Sequence, residues 1–188
     1  LYINGEYRGV YLVAQQTEDK DKRAGIGAVA DDDPYDANFT ATDDELKFLA
    51  ELDAGASGVE EIYCDAYNHN SKQKYYTIKS GAALNPNVSG HQSESNNVYV
   101  ERIKQYLDDV DSAISSSDET RIRQYIDVPS FVDMYILQEY AENADVGSAS
   151  FYLSKYSDEI HGNKLFASPP WDFDRCFGND TRGVNYNN

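Results

Sequence analysis

The run Trp171–Asp174 places two aspartates around one aromatic residue and is the most informative stretch of the chain. The apolar pair Leu165–Phe166 upstream predicts a short strand, and Pro169-Pro170 ends it because proline cannot donate to a strand ladder. Asp172 and Asp174 should therefore lie in a loop at a strand end. Such loops favour metal or phosphate sites, since the sheet fixes the backbone while the side chains stay accessible. An ordinary Asp-rich turn is the alternative interpretation.

A second acidic loop and a hairpin add to this signal. Asn143-Ala144-Asp145 follows a long apolar segment, which predicts a loop carrying an acid after a helix. Residues 1–13 contain Asn4-Gly5 between two strand-like segments, and both turn residues accept positive φ, so a β-hairpin is predicted there.

In these three motifs and their order, the sequence resembles the CotH kinase family, which are atypical protein kinases related to spore-coat protein H. The resemblance is dense over residues 1–16 and 121–180 and weak between about 20 and 95. It implies an α+β, atypical protein-kinase-like fold. An incomplete, strand-rich N-lobe-like part would span residues 1–95, and a mostly helical C-lobe part with the acidic loops would span 96–188.

The resemblance also implies roles for residues of the two acidic loops. Asp145 would orient or deprotonate the acceptor hydroxyl, and Asp172, with Asp174, would bind magnesium or manganese, because such hard cations prefer oxygen ligands. Arg175 and Asn143 are candidates for nucleotide or phosphate binding. For Arg175 a salt bridge to Asp174 is an equally good interpretation, because the guanidinium serves either purpose.

Two positions depart from the family pattern. Where the family commonly has Asn, this chain has Ser150, a shorter neutral ligand for a second metal ion. Where the opening motif usually has Glu, it has Gln15, which cannot pair with a nucleotide-contacting lysine, and Glu18 is the nearest acid that could substitute. Such a lysine would lie on an upstream strand, and Lys79 is a poor substitute for it.

The function implied by the resemblance is magnesium-dependent transfer of the ATP γ-phosphoryl group to Ser or Thr of a secreted or coat protein. The main alternative, favoured by Gln15 and Ser150, is a catalytically impaired CotH-like binding or structural module of an extracellular assembly. A lesser alternative is a carbohydrate-active or carbohydrate-binding domain, because acid pairs with exposed tyrosines and Trp171 also suit sugar sites.

Composition limits the partners and the location. The net charge is −17, from 16 Lys and Arg against 33 Asp and Glu, so the surface repels nucleic acid and attracts cations. No apolar run approaches the roughly 20 residues of a membrane helix, and no membrane span is predicted. With 16 tyrosines, the composition suits a secreted or cell-surface protein, and the resemblance to the CotH family implies a spore coat as a further location. The absence of an initiator Met predicts that the chain is a piece of a longer precursor.

Cysteines and histidines leave fewer options. Cys64 and Cys176 could form one disulfide in an oxidising compartment or remain two free thiols. No Cys/His spacing suits zinc, and His69, His91 and His161 are isolated in polar contexts typical of solvated loops.

The elements that carry the loops follow from local pattern. Asp43–Leu52 has a short helical pattern, while Ile62–Cys64 and Tyr75–Ile78 predict strands. A helix with one apolar face is predicted from its apolar spacing, and the segment after Asp127 predicts a helix that is apolar nearly all round and therefore buried. The apolar face of the first helix comprises Val100, Ile103, Leu107, Val110 and Ile114.

Overall fold

The computed structural model describes residues 2–9, 42–52, 63–67, 73–78, 98–147 and 149–179, which form strands and helices in an α+β arrangement. This confirms the predicted α+β class, whereas the kinase-like arrangement stays a prediction. The strands are β1 (Tyr2–Ile3), β2 (Glu6–Tyr7), β3 (Phe48–Leu52), β4 (Tyr63–Tyr67), β5 (Gln73–Ile78), β6 (Phe151–Lys155) and β7 (Leu165–Ala167). The helices are α1 (Val98–Ser115), α2 (Glu119–Tyr125) and α3 (Val128–Ala141).

One antiparallel sheet carries five strands in the order β4-β5-β3-β6-β7. At its centre Ala50 of β3 pairs with Ile78 of β5 on one side and Leu153 of β6 on the other. The sheet thus joins strands from both predicted parts of the chain, and the boundary near residue 95 stays a prediction.

The sheet buries side chains on both faces, because successive residues of a strand point in opposite directions. Phe48 and Ala50 belong to the larger core, which α1 covers, and Leu49 belongs to a smaller cluster with Tyr152 and Tyr156. The larger core comprises Leu46, Phe48, Ala50, Ile78, Ile103, Tyr106, Leu107, Val110, Ile126, Leu153 and Leu165.

The opening hairpin is confirmed. Tyr2 pairs with Tyr7 and Ile3 with Glu6, and the turn between them has φ +51° at Asn4 and +82° at Gly5. Two consecutive positive φ values are the geometry for which Asn-Gly is favoured.

Helix α1 confirms the predicted apolar face at three of its five positions, and the side chain of a fourth, Val100, lies outside the described residues. Ile103, Leu107 and Val110 are buried, but Ile114 is 43% exposed, and Ala113 is buried in its place. The buried face therefore shifts by one residue in the last turn.

The predicted helix over Asp43–Leu52 is wrong, because Phe48–Leu52 is the central strand β3. A single turn does form, since Thr42 accepts main-chain bonds from Glu45 and Leu46 while the Glu45 carboxylate accepts from the Thr42 N–H at 3.0 Å. This reciprocal bonding is a helix-start signal. The helix does not continue, because pairing with β5 and β6 satisfies the backbone that follows.

Helix α3 begins at a cap that also anchors β7. The Asp127 carboxylate accepts the Ser130 N–H at 2.9 Å, and the Asp127 N–H donates to the Leu165 carbonyl at 2.9 Å. The Ser130 hydroxyl in turn accepts the Ala167 N–H at 3.2 Å. One short segment therefore fixes both the helix start and the strand that leads into the second acidic loop.

Replacing Asp127 with alanine should lower the free energy of unfolding by about 1 kcal/mol, because the Ser130 N–H at the helix start loses its side-chain acceptor. Urea denaturation measures the change. Asp127→Asn retains a capping oxygen and should recover most of the loss. Equal loss in the alanine and asparagine variants would contradict a capping role.

The prediction that α3 is buried on nearly all sides is wrong. One stripe, with Met134, Gln138 and Ala141 buried and Phe131 partly buried, faces the protein. The opposite side leaves large apolar side chains exposed, and the main contact of α3 with the sheet among the described residues is with β7. The exposed residues on α3 are Val132 (49%), Tyr135 (65%), Ile136 (58%), Leu137 (37%) and Tyr140 (77%).

Lys155 is fully buried at the end of β6. Its Nζ donates to the carbonyl oxygens of Asp43 at 2.8 Å, Leu46 at 3.0 Å and Tyr156 at 2.7 Å, and lies 5.3 Å from the centre of the Tyr106 ring. Burial lowers the pKa of Lys155 to about 8. The hydrogen bonds of the Lys155 ammonium thus connect the segment before β3 with β6.

The remaining sequence predictions concern isolated side chains. Cys176 is a buried free thiol, so the predicted option of a disulfide is not taken, and the Cys64 side chain lies outside the described residues. His161 lies in a turn as predicted, but its Nδ1 is 2.8 Å from both oxygens of the Asp158 carboxylate and its ring stacks on Tyr156.

Within the described part of the chain, no helix is long and apolar enough to cross a bilayer.

Candidate active site

The first acidic loop starts where α3 ends in a left-handed turn. Glu142 has φ +51°, and its N–H donates to the Glu139 carbonyl while the Asn143 N–H donates to the Gln138 carbonyl, both at 3.1 Å. This pair of bonds is a Schellman motif, which satisfies the last helix carbonyls and turns the chain sharply. The turn directs the chain into Asp145.

Asn143 and Asp145 differ in exposure and in the use of their side chains. Asn143 is 8% exposed, and its Oδ1 accepts the Asp145 N–H at 3.1 Å while its Nδ2 donates to Gln138 Oε1 at 2.7 Å. The Asp145 side chain is 18% exposed. A buried amide therefore holds the backbone of an acid whose carboxylate reaches the surface.

The second acidic loop leaves β7 through the cis peptide Ser168–Pro169. Trp171 then packs edge-on against Tyr152, with ring centres 6.3 Å apart. Asp172 and Asp174 follow, both exposed. Both lie in a loop after β7, as the sequence predicted, because Asp172 has φ +56° and Asp174 lies in a turn.

Three contacts join the two loops. Arg175 Nε lies 3.5 Å from Asp145 Oδ2, and the Ser150 hydroxyl donates to Asp172 Oδ2 at 3.0 Å. The Phe177 N–H donates to the Ala141 carbonyl at 2.8 Å. The base candidate and the metal candidate of the sequence analysis are therefore linked through their neighbours on one surface.

The backbone is held in unfavourable conformations at this junction. Ser150, Asp172 and Phe177 have φ between +54° and +56°, a region that side chains with a Cβ seldom adopt. Such residues cost on the order of 1–3 kcal/mol each and persist where surrounding contacts fix them, often at functional sites. The Ser150–Asp172 hydrogen bond joins two of them directly.

The carboxylates of the three acids also influence one buried thiol. Burial raises the pKa of the Cys176 thiol, and the carboxylates of Asp174, Asp145 and Asp172 raise it further. A negative field of this kind disfavours a thiolate and favours a cation. The site therefore suits a ligand that brings positive charge.

The donor set of this site fits magnesium better than a metal held by protein alone. Among the described residues no group of three or more His, Cys, Asp or Glu is arranged to hold a metal ion. Magnesium usually keeps several waters and takes one or two carboxylates plus substrate phosphates. The exposed Asp172 carboxylate and the adjacent Ser150 hydroxyl would be the oxygen ligands of such an ion, and Asp174 lies in the same loop.

The structure brings together most of the predicted site residues and leaves some untested. Asp145, Ser150, Asp172, Asp174 and Arg175 meet at the two loops, whereas Gln15, Glu18 and Lys79 lie outside the described residues. The ion-pair partner of Arg175 is Asp145 rather than the predicted Asp174.

Two residues of this site were not found by sequence reasoning. Gln138 is 5% exposed and contacts Asn143 through both its main chain and its side chain. Ala141 provides the carbonyl that receives Phe177. A single amide inside an apolar helix was the available signal for Gln138, because a buried polar group requires a partner. The Ala141 contact had no sequence signal.

The comparisons with known proteins agree with this picture at the level of the family. The family model for the CotH kinase protein matches residues 1–188, the whole length of the chain. The chain therefore belongs to the CotH kinase protein family. No curated protein and no solved structure gives a significant match.

Proposed function

We propose that the chain is an atypical, kinase-like domain that transfers the γ-phosphoryl group of ATP to a Ser or Thr hydroxyl of a secreted or coat protein. Its family membership supports a kinase-like activity and fits a coat or surface location. The observation that carries the proposal is the junction of the acidic loops, where Arg175 contacts Asp145 and Ser150 contacts Asp172. A base and a metal-binding acid on one surface are what phosphoryl transfer requires.

The residues of the junction have separate roles in this reaction. Asp145 accepts the proton of the acceptor hydroxyl while the acceptor oxygen bonds to the γ-phosphorus and the bond to the ADP oxygen breaks, leaving its electron pair on ADP. Arg175, beside Asp145, orients that carboxylate or the phosphate. Asp172, Asp174 and Ser150 would hold magnesium, or manganese, which would neutralise charge on the phosphates.

A calorimetric titration of ATP, with and without magnesium or manganese, tests the nucleotide site. The full chain should bind ATP only with the metal, and Asp172→Ala should weaken that binding by at least about tenfold, because even indirect partners of metal ligands contribute 10–100-fold. Asp109→Ala, an exposed change on α1, is the matched control. Metal-independent binding, or equal binding by the Asp172 variant, would contradict the proposal.

A non-catalytic CotH-like module of an extracellular assembly is the second candidate. It is favoured by Ser150, whose hydroxyl is already engaged by Asp172 and which is a weaker second ligand than the family's Asn. No ATP binding by a chain that still melts cooperatively would support this candidate. The carbohydrate alternative has less support, because Trp171 is partly buried and packs against Tyr152.

A further inference from the structure

We propose that Gln138 is a positioning residue for Asp145, acting through Asn143. The inference needs the proposed function only for its catalytic consequence, because the contacts themselves fix a loop whatever the loop does. Gln138 lies on the buried stripe of α3, one turn before the helix ends. Asn143, which was predicted to bind nucleotide or phosphate, stands between Gln138 and the base candidate.

We call the hydrogen-bonded series from Gln138 through Asn143 to the Asp145 N–H the relay. The contacts determine the orientation of both of its side-chain amides. The Asp145 N–H can only donate, so Asn143 must turn its Oδ1 toward it, at 3.1 Å. Asn143 Nδ2 then faces Gln138, which must present Oε1, at 2.7 Å. Gln138 Nε2 is left toward the Met134 sulfur at 3.5 Å, a weak acceptor that tolerates a donor. No reversed arrangement keeps all three contacts.

Burial makes the relay rigid. Gln138 and Asn143 are 5% and 8% exposed, so water cannot readily replace either partner, and an unmatched amide at this place is costly. The main chain doubles the link, because the Asn143 N–H donates to the Gln138 carbonyl at 3.1 Å. The side-chain amide of Asn143 is engaged at both ends, which favours support of the loop over direct contact with a phosphate.

The relay also explains why one residue of α3 can affect chemistry at the surface. Asp145 Oδ2 is 3.5 Å from Arg175 Nε, a contact that depends on where the loop backbone sits. Without the Gln138 acceptor, Asn143 has to turn away or remain unpaired, and the Asp145 N–H loses its fixed partner. Misplacement of a reacting group by about 1 Å can reduce turnover by roughly 10²-fold.

Amide hydrogen exchange on the full chain tests the positioning directly. In Gln138→Leu the Asp145 N–H should exchange at least about tenfold faster, while the Met134 amide in the middle of α3 keeps its rate. Gln138→Glu retains an acceptor at the same place and should restore slow exchange. Gln124→Leu, an exposed glutamine on α2, is the control. Unchanged exchange at Asp145 in Gln138→Leu would overturn the proposal.

Kinetics test the consequence. If the chain transfers phosphate from MgATP to casein, Gln138→Leu should lower kcat by about tenfold or more and leave the KM for MgATP within about twofold, with recovery in Gln138→Glu. Equal changes in kcat and KM would overturn the positioning role. If the wild-type chain shows no transfer, the proposed function fails, and the exchange result still decides the role of Gln138.

Discussion

Asp145→Asn is expected to lower phosphoryl transfer from MgATP to casein by roughly 10²–10⁴-fold, the usual contribution of a positioned general base. Asparagine keeps the size of the side chain and cannot accept the hydroxyl proton. Binding of MgATP should persist, because the proposed metal ligands Asp172, Asp174 and Ser150 are unchanged. Incorporation of label from γ-³²P-ATP measures transfer, and calorimetry measures binding.

A control variant and a change at Arg175 accompany the Asp145→Asn measurement. Asp109→Asn removes one carboxylate from the exposed side of α1 and should leave both measurements unchanged. Arg175→Lys retains a positive charge near Asp145 and loses the planar fork, so a smaller fall in turnover is expected. Transfer by Asp145→Asn at the wild-type rate would exclude Asp145 as the base.

Lys155→Met is expected to lower the free energy of unfolding by roughly 2–4 kcal/mol, the second large effect. The substitution removes the Nζ donor from three carbonyl oxygens, two in buried hydrogen bonds and one in a partly buried hydrogen bond, and a carbonyl left unsatisfied costs about 1–3 kcal/mol. Relief of the buried charge offsets part of that cost. Urea denaturation measures the difference, with Lys164→Met on the neighbouring turn as the control.

The pH dependence of this effect follows from the pKa of Lys155, which burial lowers to about 8 in the folded chain. The unfolded chain, with a lysine pKa of about 10.4, binds more protons between these values, so wild-type stability rises with pH in that window. Methionine does not titrate. The free energy of unfolding of Lys155→Met should therefore fall further below that of the wild type between pH 8 and 10, by on the order of 2 kcal/mol.

Tyr106 sets the upper limit of that window. Its pKa is raised, first by burial and then by the Asp43 carboxylate, so above pH 10 the folded chain keeps a proton that the unfolded chain releases. Stability then falls with rising pH in both proteins. A stability difference between wild type and Lys155→Met that stays constant from pH 8 to 10 would contradict the assignment of a buried, titrating ammonium.

Local signals determined what could be predicted from the sequence. The hairpin at Asn4-Gly5 and the start of α3 at Asp127 depend on neighbours within a few residues, and both are confirmed. The turn at Thr42–Glu45 is local as well, which is why a helix was predicted there. The strand that follows depends on Thr77 and Tyr152, which pair with Glu51 across the sheet.

Distant contacts determined what could not be predicted. Asp174 is the sequence neighbour of Arg175, but the partner in space is Asp145, because the two loops meet only after α3 and β7 have packed. Burial of Lys155 likewise depends on carbonyl oxygens more than 100 residues away in the sequence. The acidic residues of the candidate site were visible in the sequence, and their mutual arrangement was not.

The exposed side of α3 is an apolar surface on a protein whose net charge is −17. At low ionic strength repulsion keeps copies apart, and at 0.1 M salt the Debye length of about 10 Å weakens that repulsion. Added magnesium chloride therefore acts on colloidal behaviour as well as on the acidic loops. Each magnesium titration should be matched by sodium chloride at equal ionic strength, with light scattering recorded alongside the heat.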